Sequence, residues 1–83
     1  MKFPVSEYYQ DHIIDGVTLT RGGGWWTAVL LIEDPKSSER IINLYTWQSH
    51  GASWKMRKSF TIRKAATLTK LQSALQEFSS RLS

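Results

Sequence analysis

The spacing of apolar residues changes once along this chain, and that change fixes the class of fold. Between Trp25 and Ile62 a short apolar run, Trp25 to Ile32, is followed by two segments that alternate, Arg40 to Gln48 and Trp54 to Ile62; after Ala65-Ala66 apolar residues recur at Leu68, Leu71, Leu75, Phe78 and Leu82, at spacings of 3, 4, 3 and 4. A period of two belongs to a strand, and one near 3.6 to a helix with a single apolar stripe. Strands followed by a helix make an α+β chain, because parallel α/β sheets need helices between the strands.

The strand segments are bounded by turn chemistry. Trp25 to Ile32 is rich in aromatic and β-branched residues, with both faces largely apolar, and lies between Arg21-Gly22-Gly23-Gly24 and the Glu33 to Glu39 turn. In Arg40 to Gln48, Ile42, Leu44 and Thr46 alternate with Ile41, Asn43, Tyr45 and Trp47; Ser49 to Ser53 then turns the chain. In Trp54 to Ile62, Trp54, Met56, Phe60 and Ile62 share one parity, while Lys55, Arg57, Ser59, Thr61 and Arg63 share the other. Lys58 breaks the pattern by falling on the apolar parity, which predicts a bulge or an edge position there.

Upstream, His12-Ile13-Ile14, Asp15-Gly16 and Val17 to Thr20 fit either a tight hairpin or one interrupted strand. Residues 1–10 have no clear period and read as an arm or loop in which Tyr8 and Tyr9 are candidates to pack. Thr67 is the expected helix cap. The expectation is one domain over residues 1–83: an arm at 1–10, a four-stranded antiparallel curved sheet at 12–63 and an amphipathic helix at 67–82. A chain of 83 residues buries only roughly 60 to 65% of its unfolded surface, so association is expected to complete the core. Leu68, Leu71, Leu75, Phe78 and Leu82 are the expected homodimer contact.

Composition removes several function classes. The absence of cysteine excludes disulfides, thiolate metal sites and a cysteine nucleophile. The longest aliphatic run, Ala28 to Ile32, is far short of the ~20 residues that a membrane helix needs, and the N-terminus lacks a signal-peptide core. A soluble, unprocessed, intracellular protein is expected, cytoplasmic or nucleoid-associated. His12 and His50 have no ligand spacing, Glu33 and Asp34 are adjacent and point apart, and Arg-Gly-Gly-Gly lacks the ending of a phosphate loop. Neither an enzyme, a cofactor nor a metal is expected.

Charge is more informative than its net of +4. Through Glu39 there are six acids and three bases; from Arg40 onward there are eight bases and only Glu77. Lys55, Arg57, Lys58, Arg63, Lys64 and Lys70 follow one another with no acid between them. A single-sign patch of this kind suits a polyanion or an acidic protein surface. Single strands are held by cations at the phosphates and by aromatic faces under unpaired bases. If Tyr45 and Trp47 share a face with Lys55 and Arg57, the chain offers both. Among the tryptophans Trp47 is the best placed for stacking and Trp25 the least. The competing expectation is a small interaction module that docks an acidic partner through its basic strand.

The order of four strands and a helix, with a basic last strand, resembles the PC4-like single-stranded-DNA-binding domains, the family of the transcriptional coactivator PC4 and its bacterial and phage relatives. Arg40-Ile-Ile-Asn-Leu-Tyr-Thr-Trp47 is similar to that family's third strand, and Arg57-Lys58-Ser59-Phe60-Thr61-Ile62 is similar to its Arg-Lys-Gly-Ile-Ser-Leu segment. The resemblance spans about residues 25 to 80. It implies a homodimer paired through the C-terminal helices, whose curved sheets bind single strands or melted duplex in transcription, replication or repair. It implies phosphate contacts from Lys58 and Arg57, flanking cations at Lys36 and Arg40, and a stacking aromatic at Tyr45 or Trp47. Lys55, Arg63 and Lys64 complete the expected nucleic-acid surface, with DNA the expected ligand and RNA an open alternative. Ser59 stands where the family commonly has glycine, and Glu39 lies where more positive charge is expected.

Overall fold

The computed structural model describes residues 3–5 and 7–82, the side chains of Glu7 and Tyr8 excepted, so the expectation that Tyr8 packs lies outside the described residues. A single helical turn, α1 (Glu7–Gln10), precedes four strands, β1 (Ile13–Gly22), β2 (Trp25–Glu33), β3 (Arg40–His50) and β4 (Ser53–Ile62), and the chain ends in α2 (Ala65–Ser79). The strands form one curved antiparallel sheet in the order β1-β2-β3-β4, followed by the C-terminal helix, as the change of period predicts.

The central pairing of β2 with β3 runs without interruption from Trp25 opposite Gln48 to Glu33 opposite Arg40. Both outer pairings are irregular. β1 is one interrupted strand rather than a hairpin: Ile14 and Leu19 each fall at a register shift against β2. On the other side Arg57 is the extra residue between Lys58, opposite Thr46, and Met56, opposite Trp47. The expected irregularity at Lys58 is this bulge, one residue earlier.

The bulge reverses the parity of β4. Trp54 and Met56 lie on the face of Trp47, whereas Lys58, Phe60 and Ile62 lie on the face of Thr46, Leu44 and Ile42. The single wet, cationic face expected for this strand is therefore divided between the two sides of the sheet.

One side, the arm face, is covered by the N-terminal residues. Trp26, Ala28, Leu30 and Ile32 of β2 and Ile41, Asn43, Tyr45 and Trp47 of β3 are buried there, and Phe3 packs among them. The Phe3 ring lies 5.6 Å from that of Trp26 and 6.3 Å from that of Trp47. It needs Gly16 beneath it: a Cβ at that position would come within 2.6 Å of the ring and 2.7 Å of Leu30. Gln10 fastens the arm by donating its side-chain amide to the carbonyls of Phe3 at 2.6 Å and Val5 at 3.1 Å.

The other side, the open face, reads as rows across the four strands. At the end carrying the Gly23-Gly24 turn the rows are polar: Gly22, Trp25, Gln48, Lys55, then Thr20, Thr27, Thr46, Lys58. Both turn glycines have positive φ, 59° and 82°, which an L side chain seldom adopts. Toward the helix end the rows become apolar: Val17, Val29, Leu44, Phe60, then Asp15, Leu31, Ile42, Ile62.

The helix covers little of these apolar rows. Its first turn and the preceding residues border a small cavity of Leu31, Ile42, Ile62 and Leu68, and Ile62 is buried. No residue of α2 is buried, and Leu75, Phe78 and Leu82 are 60, 53 and 85% exposed. Lys64, with no side-chain cap bond, occupies the N-cap position expected of Thr67, which lies inside the first turn. The chain is accordingly flat, 38 × 36 × 19 Å, with a radius of gyration of 14.1 Å against the ~12 Å usual for this length. Its accessible surface is 6433 Å², about 1,300 Å² above the roughly 5,100 Å² of a compact monomer of this mass.

Candidate functional site

The cations form two groups with different surroundings. At the helix end, Lys36, Arg40, Arg63 and Lys64 stand among Glu33, Asp34 and Glu39. Arg40 is opposite Glu33 in the register, and Arg63 lies 3.4 Å from the Asp34 carboxylate. The amide of Lys36, 2.9 Å away, and then the Arg63 guanidinium hold the Asp34 carboxyl below its ordinary pKa. This rim has mixed sign, and its charges partly answer one another.

Lys55, Arg57 and Lys58 make the other group, at the glycine end. Lys55 and Lys58 belong to the two polar rows of the open face. Arg57 reaches the same rows because it is bulged: its Nε donates to Oε1 of Gln48 at 2.8 Å. The sequence has no acid from Gly16 to Ile32 or from Arg40 to Gln76, so β2 up to Glu33 and all of β3 and β4 carry no carboxylate. Trp25, in the same row as Gln48 and Lys55, is 44% exposed. Two strand spacings separate it from Lys55, about 10 Å between backbones.

Tyr45 and Trp47 are not on this surface. The expectation that they share a face with Lys55 and Arg57 is corrected: the bulge sends those cations to the open face, while both rings lie on the arm face. Trp47 is fully buried, its ring 5.3 Å from that of Tyr45 and 5.2 Å from that of Trp26. Among the described residues the tryptophan exposed on the face of these cations is Trp25, the one ranked last by sequence, and Phe60 is exposed on the same face two residues from Lys58. The signal for Trp25 was present in the Trp25-Trp26 doublet, since adjacent strand residues point to opposite faces and only one can enter a given core.

On the arm face, the Arg21 guanidinium carbon lies over Trp26, 4.1 Å from the ring centroid, and 5.4 Å from that of Trp54. Trp26 in turn donates its indole N–H to Thr18 Oγ1 at 3.0 Å. Asn43, buried, donates from Nδ2 to the Tyr45 hydroxyl at 3.0 Å. Burial raises the Tyr45 pKa above its ordinary value, with the Asn43 hydrogen bond opposing.

Among the described residues no group of three or more His, Asp or Glu side chains is placed to hold a metal ion, and no helix is long and apolar enough to cross a membrane. No protein-family model, curated protein or solved structure matches the chain.

Proposed function

We propose that this chain is a non-catalytic, PC4-like binder of single-stranded nucleic acid, with DNA its ligand, and that it works as a homodimer. The observation that carries the reading is the β4 bulge, which gathers Lys55, Arg57 and Lys58 on one acid-free half of the open face beside exposed Trp25. Cations of one sign attract the phosphates, and an exposed indole at the same level gives an unpaired base a surface to stack on. A duplex keeps its bases stacked on each other, so the same surface favours the single strand.

The homodimer rests on two unpartnered apolar surfaces. The helix-end rows of the open face and the stripe of α2 both meet solvent, and the surplus of about 1,300 Å² exceeds the ~800 Å² that each partner contributes to a standard interface. A two-fold contact through this half leaves the polar half of each sheet free for ligand.

The test is fluorescence anisotropy of a labelled strand of about 20 nucleotides and its matched duplex at two salt concentrations, with tryptophan emission followed in parallel. Preference for the single strand, with emission quenched, is expected. Arg57→Ala with Lys58→Ala should weaken binding and flatten the dependence of log K on log salt by about 1.4, as two lost phosphate contacts on a single strand require. Equal, weak binding to both forms that vanishes in modest salt would overturn the reading in favour of an acidic protein partner.

A further inference from the structure

The open face and the stripe of α2 are each incomplete in a way that the other fits. Val17 and Phe60, at the two ends of one apolar row, are 60 and 52% exposed. Val29 and Leu44 between them, with Leu31 and Ile42 in the next row, are only half-buried. A groove of about 240 Å³ lies along Val17, Val29, Leu31 and Ile42, with Asp15 at its margin.

The helix changes surroundings along its length. Leu68, Leu71 and Ala74 are half-buried, whereas Leu75 and Phe78, and Leu82 in the turn that follows, are exposed. α2 therefore leans on its own sheet for its first turns and carries the rest of the stripe past it. Only Arg63 and Lys64 join Ile62 to Ala65, and Leu68 is seated at the corner cavity with Ile42 and Ile62, so the base of the helix is held there. Within one chain the distal stripe and the open rows stay apart.

A second copy can cover them in two ways. Helices paired stripe to stripe would bury Leu75, Phe78 and Leu82 and leave Val17 and Phe60 in water. Exchange covers both, because each protomer gives one stripe and receives another, the self-complementary relation that a two-fold axis imposes. The dimensions agree: seven residues from Leu75 to Leu82 rise about 10 Å, the width of three neighbouring strands at ~4.8 Å spacing. The surplus of about 1,300 Å² exceeds the ~800 Å² of a standard interface, which suits a contact that buries both patches on each protomer.

Charge agrees as well. The acids in the open-face rows, Asp15 and Glu33, stand at the helix end, and Glu33 has Arg40 opposite it. Lys70 and Arg81, eleven residues and so about three turns apart, lie on one flank of the stripe with Glu77 between them. That flank has a net charge of one positive, and Asp15 borders the groove that would receive it.

We infer that two protomers exchange helices, the stripe of each α2 from Leu75 to Leu82 lying across the helix-end rows of the other's open face. The inference rests on the homodimer reading and specifies its contact. It also assigns Phe60 to the interface and leaves Trp25 as the aromatic that faces ligand.

The chain has no cysteine, so single cysteines on the two surfaces report contact without background. Val17→Cys, Phe60→Cys and Phe78→Cys replace exposed side chains. The first two are each mixed with the third and oxidised at a concentration where the wild type sediments as twice 9.6 kDa. A covalent dimer of two different variants, resolved by mass, is expected from at least one mixture. Phe60→Ala should raise the dimer dissociation constant by about tenfold or more while leaving the unfolding of the monomer little changed. Should a cysteine variant fail to associate, Phe60→Ala still decides. Phe78→Cys joined only to itself, or a dissociation constant unmoved by Phe60→Ala, would overturn the exchange and leave the homodimer standing. A wild type that sediments as one chain at every concentration would overturn both, and an internal disulfide in the Val17→Cys, Phe78→Cys double variant would then show α2 covering its own sheet.

Discussion

The two faces of the same four strands are finished in different ways. The arm face is closed by chain-local means: Phe3 sits over Gly16, Gln10 ties the arm to itself, and the rings of Phe3, Trp26 and Tyr45 pack around Trp47. The open face has equally apolar rows at its helix end, yet α2 touches only the nearest corner and carries its own stripe into solvent. Apolar periodicity alone therefore does not tell a core from an interface; what differs is whether this chain supplies a cover.

Substitutions should separate the faces by size of effect. Trp47→Ala removes the largest fully buried side chain and should cost about 3 to 5 kcal/mol in urea unfolding, enough to unfold a domain this small. Gly16→Val should cost about 1 to 3 kcal/mol by overpacking against Phe3 and Leu30. Adding Phe3→Ala in that background should then cost less than it does alone, and strict additivity would separate the arm from the Gly16 notch.

Leu75→Asp belongs to the other class. At concentrations where the wild type is monomeric it should change unfolding free energy by no more than about 0.5 kcal/mol, because Leu75 is already exposed. At higher concentration it should lower the sedimenting mass from twice 9.6 kDa to that of one chain. A folded variant with unchanged mass would remove the helix stripe from the interface.

The smallest effect is one of pH. Tyr45 has its pKa raised by burial, so its neutral form is favoured by folding, and its contribution is complete below the ordinary tyrosine value near 10. That contribution is lost as pH rises from there through the folded value. Tyr45→Phe should flatten the alkaline loss of stability measured by denaturant unfolding between about pH 9 and 11.

Most of the fold is legible in the sequence because period and turn chemistry agree. β2 and β3 begin where Trp25 and Arg40 do and run one or two residues beyond the expected ends; β4 extends one residue earlier and ends at Ile62 as expected. The arm is not legible: Phe3 lies in an aperiodic stretch, and only the missing side chain of Gly16, thirteen residues on, explains where its ring goes. Of the surface residues, Lys55, Arg57 and Lys58 emerge together because acid-free sequence is local information. Facing is different, since one extra residue at Arg57 inverts every assignment on one side of it. That inversion is why Trp47 and Trp25 exchange places between expectation and structure.

The same extra residue has a further consequence, for how these molecules meet one another. In this meander both outer strands present unpaired backbone groups, the usual template for adding strands edge to edge into fibrils. Here the uninterrupted ladder is confined to the protected middle, β2 with β3, while β4 is bulged at Arg57 beside Lys58 and β1 loses register twice. A strand approaching either margin finds no long straight row to copy. The irregularity that aims a guanidinium also discourages runaway polymerisation.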